Sequence, residues 1–285
     1  MQVNNINMIK ELNIAFKDIV YQDSTHTYFH KDLPLQSVTQ FLSSLKQPFD
    51  KNYWSVYKAY EFSGYSVKMI WNSKTSFKVD DKIVYISDDY THLKVQPEQI
   101  LEQWDIDALT GTTRGSYVHD YLENLEKRLI DPIPLPNIDL STVETIKFYT
   151  SLRKAESLCK DWYYTTKEYL IPIAMEFIVG DSNLQLAGRF DRLYFNLNTQ
   201  EYEIWDFKTD KKLNYENKFS KLKLFNLPDC EYEKYSLQVS LYKKIIEDNL
   251  GVKLGRSRIV HFNIKEETWS IIEAKDYTQL LTDKL

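Results

Sequence analysis

Two stretches decide the fold prediction, Gly188-Arg-Phe-Asp191 and Trp205-Asp-Phe-Lys208. Both place charged side chains within runs of aromatic and β-branched residues, which are typical of strands. Between them lies Asn196-Leu-Asn-Thr-Gln200, a segment rich in turn-forming residues. The chain is therefore predicted to fold back there as a β-hairpin.

The spacing within these strands groups the charged side chains. Successive side chains of a strand point to opposite faces, so Asp206 and Lys208 share one side while Trp205 and Phe207 point to the other. Across the predicted hairpin, Asp191 is expected on the strand next to Asp206. Two carboxylates and a lysine suit a hard divalent cation such as Mg2+, which prefers oxygen ligands and often shares a phosphate with its protein.

Four short motifs occur along the chain in a set order: Gly115 with His119, Gly188 to Asp191, Asp206 to Lys208, and Gln238 to Tyr242. Each one alone is common in unrelated proteins. The ordered set resembles the RecB-like exonuclease branch of the PD-(D/E)XK nuclease superfamily, over about residues 111 to 265. The segment Tyr21 to Asp50 is in addition similar to the N-terminal region of phage-type members.

The resemblance implies roles for individual residues. In that family the positions matched by Asp191 and Asp206 hold Mg2+ or Mn2+, and the position of Lys208 contacts the attacking water or the scissile phosphate. The position of His119 adds a metal ligand. Glu176 lies on the preceding predicted strand, where relatives often place another acidic residue, and is expected as a further ligand.

Gln238 and Tyr242 belong to a predicted amphipathic helix that ends near Gly251. Their i,i+4 spacing places both side chains on one face of that helix, and we expect both to take part in catalysis. An inward-facing amide needs partners, which a phosphate oxygen, a water or the region of Lys208 could supply. For Tyr242 the alternative is a purely structural role in the core.

The other candidate residues also have structural interpretations. Asp206 and Lys208 could form a surface ion pair on an edge strand. His119 could be a structural histidine, and Glu123 could either orient its imidazole or be solvated. Gly115 either permits close approach of a strand or nucleic acid, or marks a loose helix start.

A lysine-rich segment follows the second motif strand. Its lysines are predicted to contact DNA phosphates, and they are Lys211, Lys212, Lys218, Lys221 and Lys223. The aromatic side chains Tyr215, Phe219 and Phe225 lie between them and are predicted to stack on bases. The alternative is a solvated loop. A formal net charge of −5 does not exclude DNA, because phosphate attraction depends on local potential.

Length and pattern predict one compact α/β enzyme with a central mixed β-sheet flanked by helices, a restriction-endonuclease-like core. This core is assigned to residues 111–285, and residues 1–110 are assigned to an α-rich N-terminal elaboration packed on it. Residues 63–97 receive no role. Helices are predicted from 37, over 50–62, 113–129 and 141–160, and around 238; strands over 82–87, 171–179, 184–194, 201–208, 258–264 and 268–273.

Several classes of protein are disfavoured. No apolar run approaches a membrane span, and the N-terminus lacks a signal pattern, which favours the cytoplasm, or the host cytoplasm for a phage protein. Cys159 and Cys230 are too few to hold an iron–sulfur cluster. No glycine-rich GxxxxGK[ST] loop is present, so ATP is not expected as a cofactor.

The sequence therefore predicts a metal-dependent DNA nuclease that hydrolyses phosphodiester bonds. An exonuclease acting on single-stranded DNA or duplex ends, in recombination or repair, follows from the family resemblance alone. One alternative is a catalytically silent nucleic-acid-binding or assembly module that keeps the nuclease fold. Another is a metal-dependent hydrolase of a different phosphate ester.

Overall fold

The computed structural model describes residues 2–70, 73–129, 133–217 and 220–285. The helices are α1 Gln2–Ala15, α2 Val38–Ser44, α3 Lys51–Phe62, α4 Pro97–Lys127, α5 Thr142–Thr166, α6 Glu231–Leu250 and α7 Thr278–Lys284. The strands are β1 Ile19–Gln22, β2 Thr27–His30, β3 Leu33–Ser37, β4 Val67–Met69, β5 Ser76–Val79, β6 Lys82–Tyr85, β7 Leu170–Asp181, β8 Leu186–Asn196, β9 Glu201–Lys208, β10 Arg258–Asn263 and β11 Thr268–Glu273. Within these ranges, no helix has the length and apolar character needed to cross a membrane.

An eight-stranded mixed sheet forms the centre of the fold, in the order β1-β2-β3-β8-β9-β10-β11 with β7 also paired to β8. Strand β9 runs antiparallel to β8 and parallel to β10, and α6 connects β9 to β10. Helices lie against this sheet, as the two hydrophobic clusters described below show. The predicted α/β class with a central mixed sheet flanked by helices is confirmed.

Strand β8 has one continuous edge and one divided edge. Strand β7 pairs with β8 from Leu186 to Asn196. On the other edge, β3 pairs in parallel with Leu186 and Ala187, and β9 pairs in antiparallel fashion from Arg192 onward. The four residues from Gly188 to Asp191 therefore lie at the point where β3 and β9 part, which opens the sheet next to Asp191.

The alternation predicted for β9 is confirmed by two separate hydrophobic clusters. Ile204 packs with α1, α2 and α6 in one cluster. Trp205 and Phe207 pack with Trp162 of α5 and with α4 in another. A helical layer thus covers each side of β9, because its apolar residues leave the strand in both directions.

Local signals explain several element boundaries. Ser37 caps α2, accepting from the backbone N–H of Gln40 in a reciprocal capping box. Gly251 ends α6 in the left-handed region at φ +67°. The predicted hairpin is also confirmed, since Asn196 pairs with Glu201 and its side chain accepts from the N–H of Asn198 at 2.9 Å.

The N-terminal part of the chain differs from the predicted organisation. The chain divides into two compact units, one of residues 1–47 with 114–285, the other of residues 48–113. The predicted boundary at residue 110 placed residues 1–47 outside the nuclease core. Instead, β3 joins the sheet through β8, and Leu12 and Leu42 are buried in the same cluster as α6. Strands β1 to β5 were not predicted, because such short strands carry too little periodicity.

Residues 48–113 contain α3 and an antiparallel sheet of β4, β5 and β6. Phe77 of β5 is fully buried in the hydrophobic cluster of this unit. The start of α4 also differs from its predicted position at residue 113, since the helix begins at Pro97. Proline is favoured at the first helical position, where its missing N–H has no intrahelical partner. The helix therefore begins about four turns before its predicted start.

Candidate metal centre

Three side chains from three elements converge beside the opening in the sheet. His119 of α4, Glu176 of β7 and Asp191 of β8 offer ligand atoms that all lie within 4.8 Å of one another. His119 Nδ1 is 3.4 Å from Glu176 Oε1 and 3.5 Å from Asp191 Oδ1. One imidazole nitrogen and two carboxylate oxygens are a donor set suited to Mn2+ or Mg2+.

The backbone of β9 orients His119. Its Nε2 lies 3.3 Å from the carbonyl oxygen of Phe207, which can only accept, so Nε2 carries the proton and Nδ1 faces the carboxylates. Burial alone would lower the pKa of His119, but Asp191 and Glu176 raise it to about 9. A metal bound through Nδ1 would therefore displace a proton. Glu123, the predicted alternative for orienting the ring, instead forms an ion pair with Lys127 one turn along α4.

Glu176 reaches the site through a strained backbone. Its φ is +47°, a left-handed value that is uncommon for a residue with a Cβ and costs about 1 to 3 kcal/mol. Arg192 Nη1 donates to Glu176 Oε1 at 3.1 Å. The unusual backbone turns the Glu176 carboxylate toward His119, and the guanidinium holds it there.

Asp191 is tied directly to β9. Its Oδ2 accepts from the backbone N–H of Phe207 at 2.7 Å, at the end of the β8–β9 ladder. The Asp191 side chain thus takes the place of a backbone carbonyl in bonding to β9. This bond leaves Oδ1 directed toward His119 and available to a metal.

Asp206 and Lys208 form a buried ion pair next to this group of three. Asp206 is 1% exposed, and its Oδ2 lies 2.6 Å from Lys208 Nζ. The other carboxylate oxygen, Oδ1, has no hydrogen-bond partner among the described residues. Burial raises the pKa of Asp206 despite the lowering effect of Lys208. A buried carboxylate with unused acceptor sites is costly, and a cation would compensate it.

Lys208 stays charged in this environment. Burial alone would lower its pKa, but Asp206 and Asp191 raise it above the usual value. Its ammonium also lies 4.7 Å from the ring centroid of Tyr235, whose hydroxyl donates to Asp210. Lys208 can therefore stabilise negative charge but cannot readily accept a proton.

The motif residues Gly188 and Tyr242 pack directly against each other. A Cβ at Gly188 would lie 2.8 Å from Tyr242 Cε1 and 2.9 Å from its hydroxyl oxygen. Tyr242 is 2% exposed and packs against the backbone of β8 beside the site. Gln238 lies one turn before it on α6. At Gly115, by contrast, a Cβ would meet only Thr209 Oγ1, at 3.8 Å.

Two further residues, Arg192 and Glu126, were not predicted from the sequence to belong to the site. Arg192 is fully buried, and its Nε donates to Glu126 Oε2 of α4 at 2.5 Å. The hydroxyl of Tyr194 donates to the other oxygen of Glu126. Because Arg192 also bonds Glu176 and the Asp191 carbonyl, it is a positioning residue for two of the three candidate ligands. Its only signal in the sequence was a charge directly before the apolar run Leu193-Tyr-Phe195 of β8.

The lysine-rich segment is partly surface and partly core. Lys211, Lys212, Lys221 and Lys223 are exposed. Lys218 and Phe219 lie outside the described residues. Phe225 is 6% exposed and packs edge-on against Phe41, so the prediction that it stacks on bases is wrong. Its apolar ring anchors the segment to α2, because burial stabilises it more than exposure to water would.

A comparison with known proteins identifies the family of the chain. A family model of the PD-(D/E)XK nuclease superfamily matches residues 91–283. Because the match covers more than half of the chain, the protein belongs to the PD-(D/E)XK nuclease superfamily. No curated protein matches the chain in sequence. A nuclease domain with a His, Glu and Asp group that could bind metal is thus established at the level of the family and the fold.

The contact between Gly188 and Tyr242 yields a stability prediction. Gly188→Ala should lower the free energy of unfolding by about 1 to 3 kcal/mol, because the added methyl overlaps the buried ring. In a Tyr242→Leu background the same change should have little further effect. Chemical denaturation of the four proteins in this cycle measures the coupling. Gly115→Ala, a control with room for a Cβ, should be neutral or slightly stabilising. An equal penalty in both backgrounds would contradict the contact.

The buried charges around Arg192 yield a second prediction. Arg192→Met should destabilise the protein by about 3 to 5 kcal/mol, because it leaves Glu126 buried without its partner. Arg192→Met combined with Glu126→Leu should recover much of that stability. Mn2+ affinity, measured by calorimetry, should stay reduced in the double variant, because Glu176 has lost the guanidinium that holds it. Recovery of Mn2+ affinity along with stability would show that Arg192 acts only in folding.

Proposed function

We propose that the protein is a divalent-metal-dependent deoxyribonuclease that hydrolyses phosphodiester bonds, and that it acts as an exonuclease of the RecB-like branch. The observation that supports this most strongly is the convergence of His119, Glu176 and Asp191 beside the buried pair of Asp206 and Lys208. Carboxylates, an imidazole and a positioned ammonium are the groups that phosphodiester hydrolysis requires.

The four residues His119, Glu176, Asp191 and Asp206 would hold Mg2+ or Mn2+. When bound, the metal would polarise the phosphate and lower the pKa of a water molecule. The unused acceptor sites of Asp206 and the close approach of the other three ligand atoms fit such an ion. Lys208, held as an ammonium by its acidic neighbours, stabilises the charge that develops on the phosphate and orients the attacking hydroxide.

DNA is the proposed substrate, as single strands or duplex ends. The exposed lysines of the segment after β9 begin three residues from Lys208, and they would contribute affinity through phosphate contacts. Lys218 is assigned to the same surface from the sequence. A cytoplasmic role in DNA recombination or repair, in a phage-infected host cell, is part of this proposal on family analogy.

The proposed function predicts a metal-dependent cleavage activity that the two aspartates carry. Asp191→Asn and Asp206→Asn should each lower turnover on order of 10³-fold or more, because a metal ion supplies several kcal/mol of transition-state stabilisation. Turnover is measured as the rate of cleavage of single-stranded, duplex and nicked DNA in the presence of Mg2+ or Mn2+. Asp248→Asn, which alters an exposed carboxylate paired with Lys244, is the matched control and should retain wild-type turnover.

A binding measurement accompanies this assay. Mn2+ at about 100 times its Kd should stabilise the wild type by about 2.7 kcal/mol against unfolding, and Asp191→Asn should lose most of that gain. Metal-linked stabilisation with no cleavage of any DNA would identify a silent binding module instead. Cleavage of a different phosphate ester alone would assign another hydrolase.

Lys208 provides a further prediction. Lys208→Ala should reduce kcat on the order of 10²- to 10³-fold, the range for loss of one positioned donor to the transition state. Its equilibrium affinity for DNA should stay close to that of the wild type, because one charge among many phosphate contacts is removed. Fluorescence anisotropy in Ca2+ measures the affinity, and the matched control is Lys244→Ala, at a mostly buried lysine paired with Asp248. A parallel collapse of affinity and turnover would make Lys208 mainly a binding residue.

A further inference from the structure

Arg189 lies in the cleft next to the candidate metal ligands. The cleft is lined by His119 and Glu176 together with Asp120 and Glu123. Glu176 pairs with His119 and Arg192, and Glu123 pairs with Lys127. Among the described residues, no ion pair within 4 Å involves Arg189. It is thus an exposed cation that its acidic surroundings leave without a carboxylate partner.

An aromatic ring braces Arg189 instead. Its guanidinium carbon lies 5.5 Å from the ring centroid of Tyr21 on β1. Tyr21 pairs directly with Tyr28 on β2, with ring centroids 4.8 Å apart, and its hydroxyl lies 2.9 Å from His26 Nδ1. A guanidinium over a ring face is attracted by the ring without forming an ion pair, so its N–H donors stay available to a ligand.

This aromatic pair is firmly attached to the sheet. Tyr28 is 9% exposed and is buried with Leu35 of β3 and Ala187 of β8. Ala187 lies on the same strand as Arg189, two residues before it. The ring that supports Arg189 and the strand that carries it are therefore parts of one packed cluster, which limits the positions that the guanidinium can take.

Three observations together point to a ligand. A guanidinium fork placed over an aromatic ring matches the geometry of a phosphate. Within the described part of the chain it forms no ion pair, although acidic side chains line its cleft. It also lies two residues before Asp191 on β8, about 7 Å along the strand, which is comparable to the spacing of successive phosphates in one nucleic-acid strand.

We propose that Arg189, braced on the Tyr21–Tyr28 pair, binds the phosphate next to the scissile phosphate on the cleaved DNA strand. This assignment rests on the proposed nuclease function and gives the N-terminal β1–β2 hairpin a part in substrate binding. The contact is made in the ground state and the transition state alike, so it lowers KM and leaves kcat nearly unchanged.

The first test is kinetic. Arg189→Gln should raise KM for DNA roughly tenfold, with kcat within about twofold of the wild type. Arg256→Gln is the matched control, since Arg256 is an exposed arginine that pairs with Glu273 at 3.0 Å, and it should change neither constant. Tyr21→Leu should reproduce part of the KM effect, whereas Tyr21→Phe keeps the ring and should behave as the wild type. Equal KM values for Arg189→Gln and Arg256→Gln would overturn the assignment.

The second test locates the contact. Oligonucleotides carrying one uncharged methylphosphonate at successive positions are titrated against each protein by fluorescence anisotropy in Ca2+. The wild type should lose roughly tenfold in affinity at one position next to the cleaved bond, and Arg189→Gln should lose nothing further there. A loss of the same size in both proteins at every position would refute the contact.

The binding test also separates this inference from the proposed function. If the wild type binds DNA but cleaves none, the nuclease proposal fails while the position-specific coupling with Arg189 can still be present. If the wild type cleaves DNA and the coupling is absent at all positions, the nuclease proposal stands and the Arg189 assignment fails.

Discussion

The site depends on how β8 shares its edge between two strands. Because β7 occupies one edge throughout, β3 and β9 must divide the other, and the backbone between Ala187 and Arg192 is left where they part. Asp191 bridges that opening with its side chain, which accepts from the N–H of Phe207. The carbonyl of the same Phe207 orients His119. One peptide segment of β9 thus fixes two candidate ligands, and a shift of β9 would displace both.

The neighbourhood of this opening contains several features that stability alone would not favour. Glu176 has a left-handed backbone, Asp206 is buried with unused acceptor sites, and Arg192 is buried with Glu126. Apolar residues of similar volume are often at least as stable as a buried ion pair. Sites that hold metals commonly concentrate such costs, because a bound cation repays the burial of carboxylates. The hydrophobic clusters on both sides of β9 contribute stability that offsets these unfavourable features.

The sequence predicted the parts of the fold that rest on local pattern. The hairpin turn at Asn196, both ends of β9, and the side-chain alternation of Trp205 and Phe207 all follow from turn chemistry and a period of two. The sequence also named the three side chains that converge, His119, Glu176 and Asp191, two of them as motif residues. The positioning role of Arg192 could not be foreseen, since it depends on α4 bringing Glu126 to β8, a contact between residues far apart in the chain. The pairing of β3 with β8 was missed for the same reason.

The motifs are related by physical contacts as well as by order in the sequence. Gly188 is needed where Tyr242 packs on β8, and the Phe207 between Asp206 and Lys208 supplies the backbone groups that hold Asp191 and His119. These contacts would serve a binding module equally well, because they stabilise the fold. Asp206 is different. Asp206 and Lys208 are buried as an ion pair, and a protein that only bound DNA could replace both by apolar residues of similar volume at little cost in stability. The burial of Asp206 beside Lys208 is useful when a cation and a developing negative charge meet there, and that argument favours catalysis.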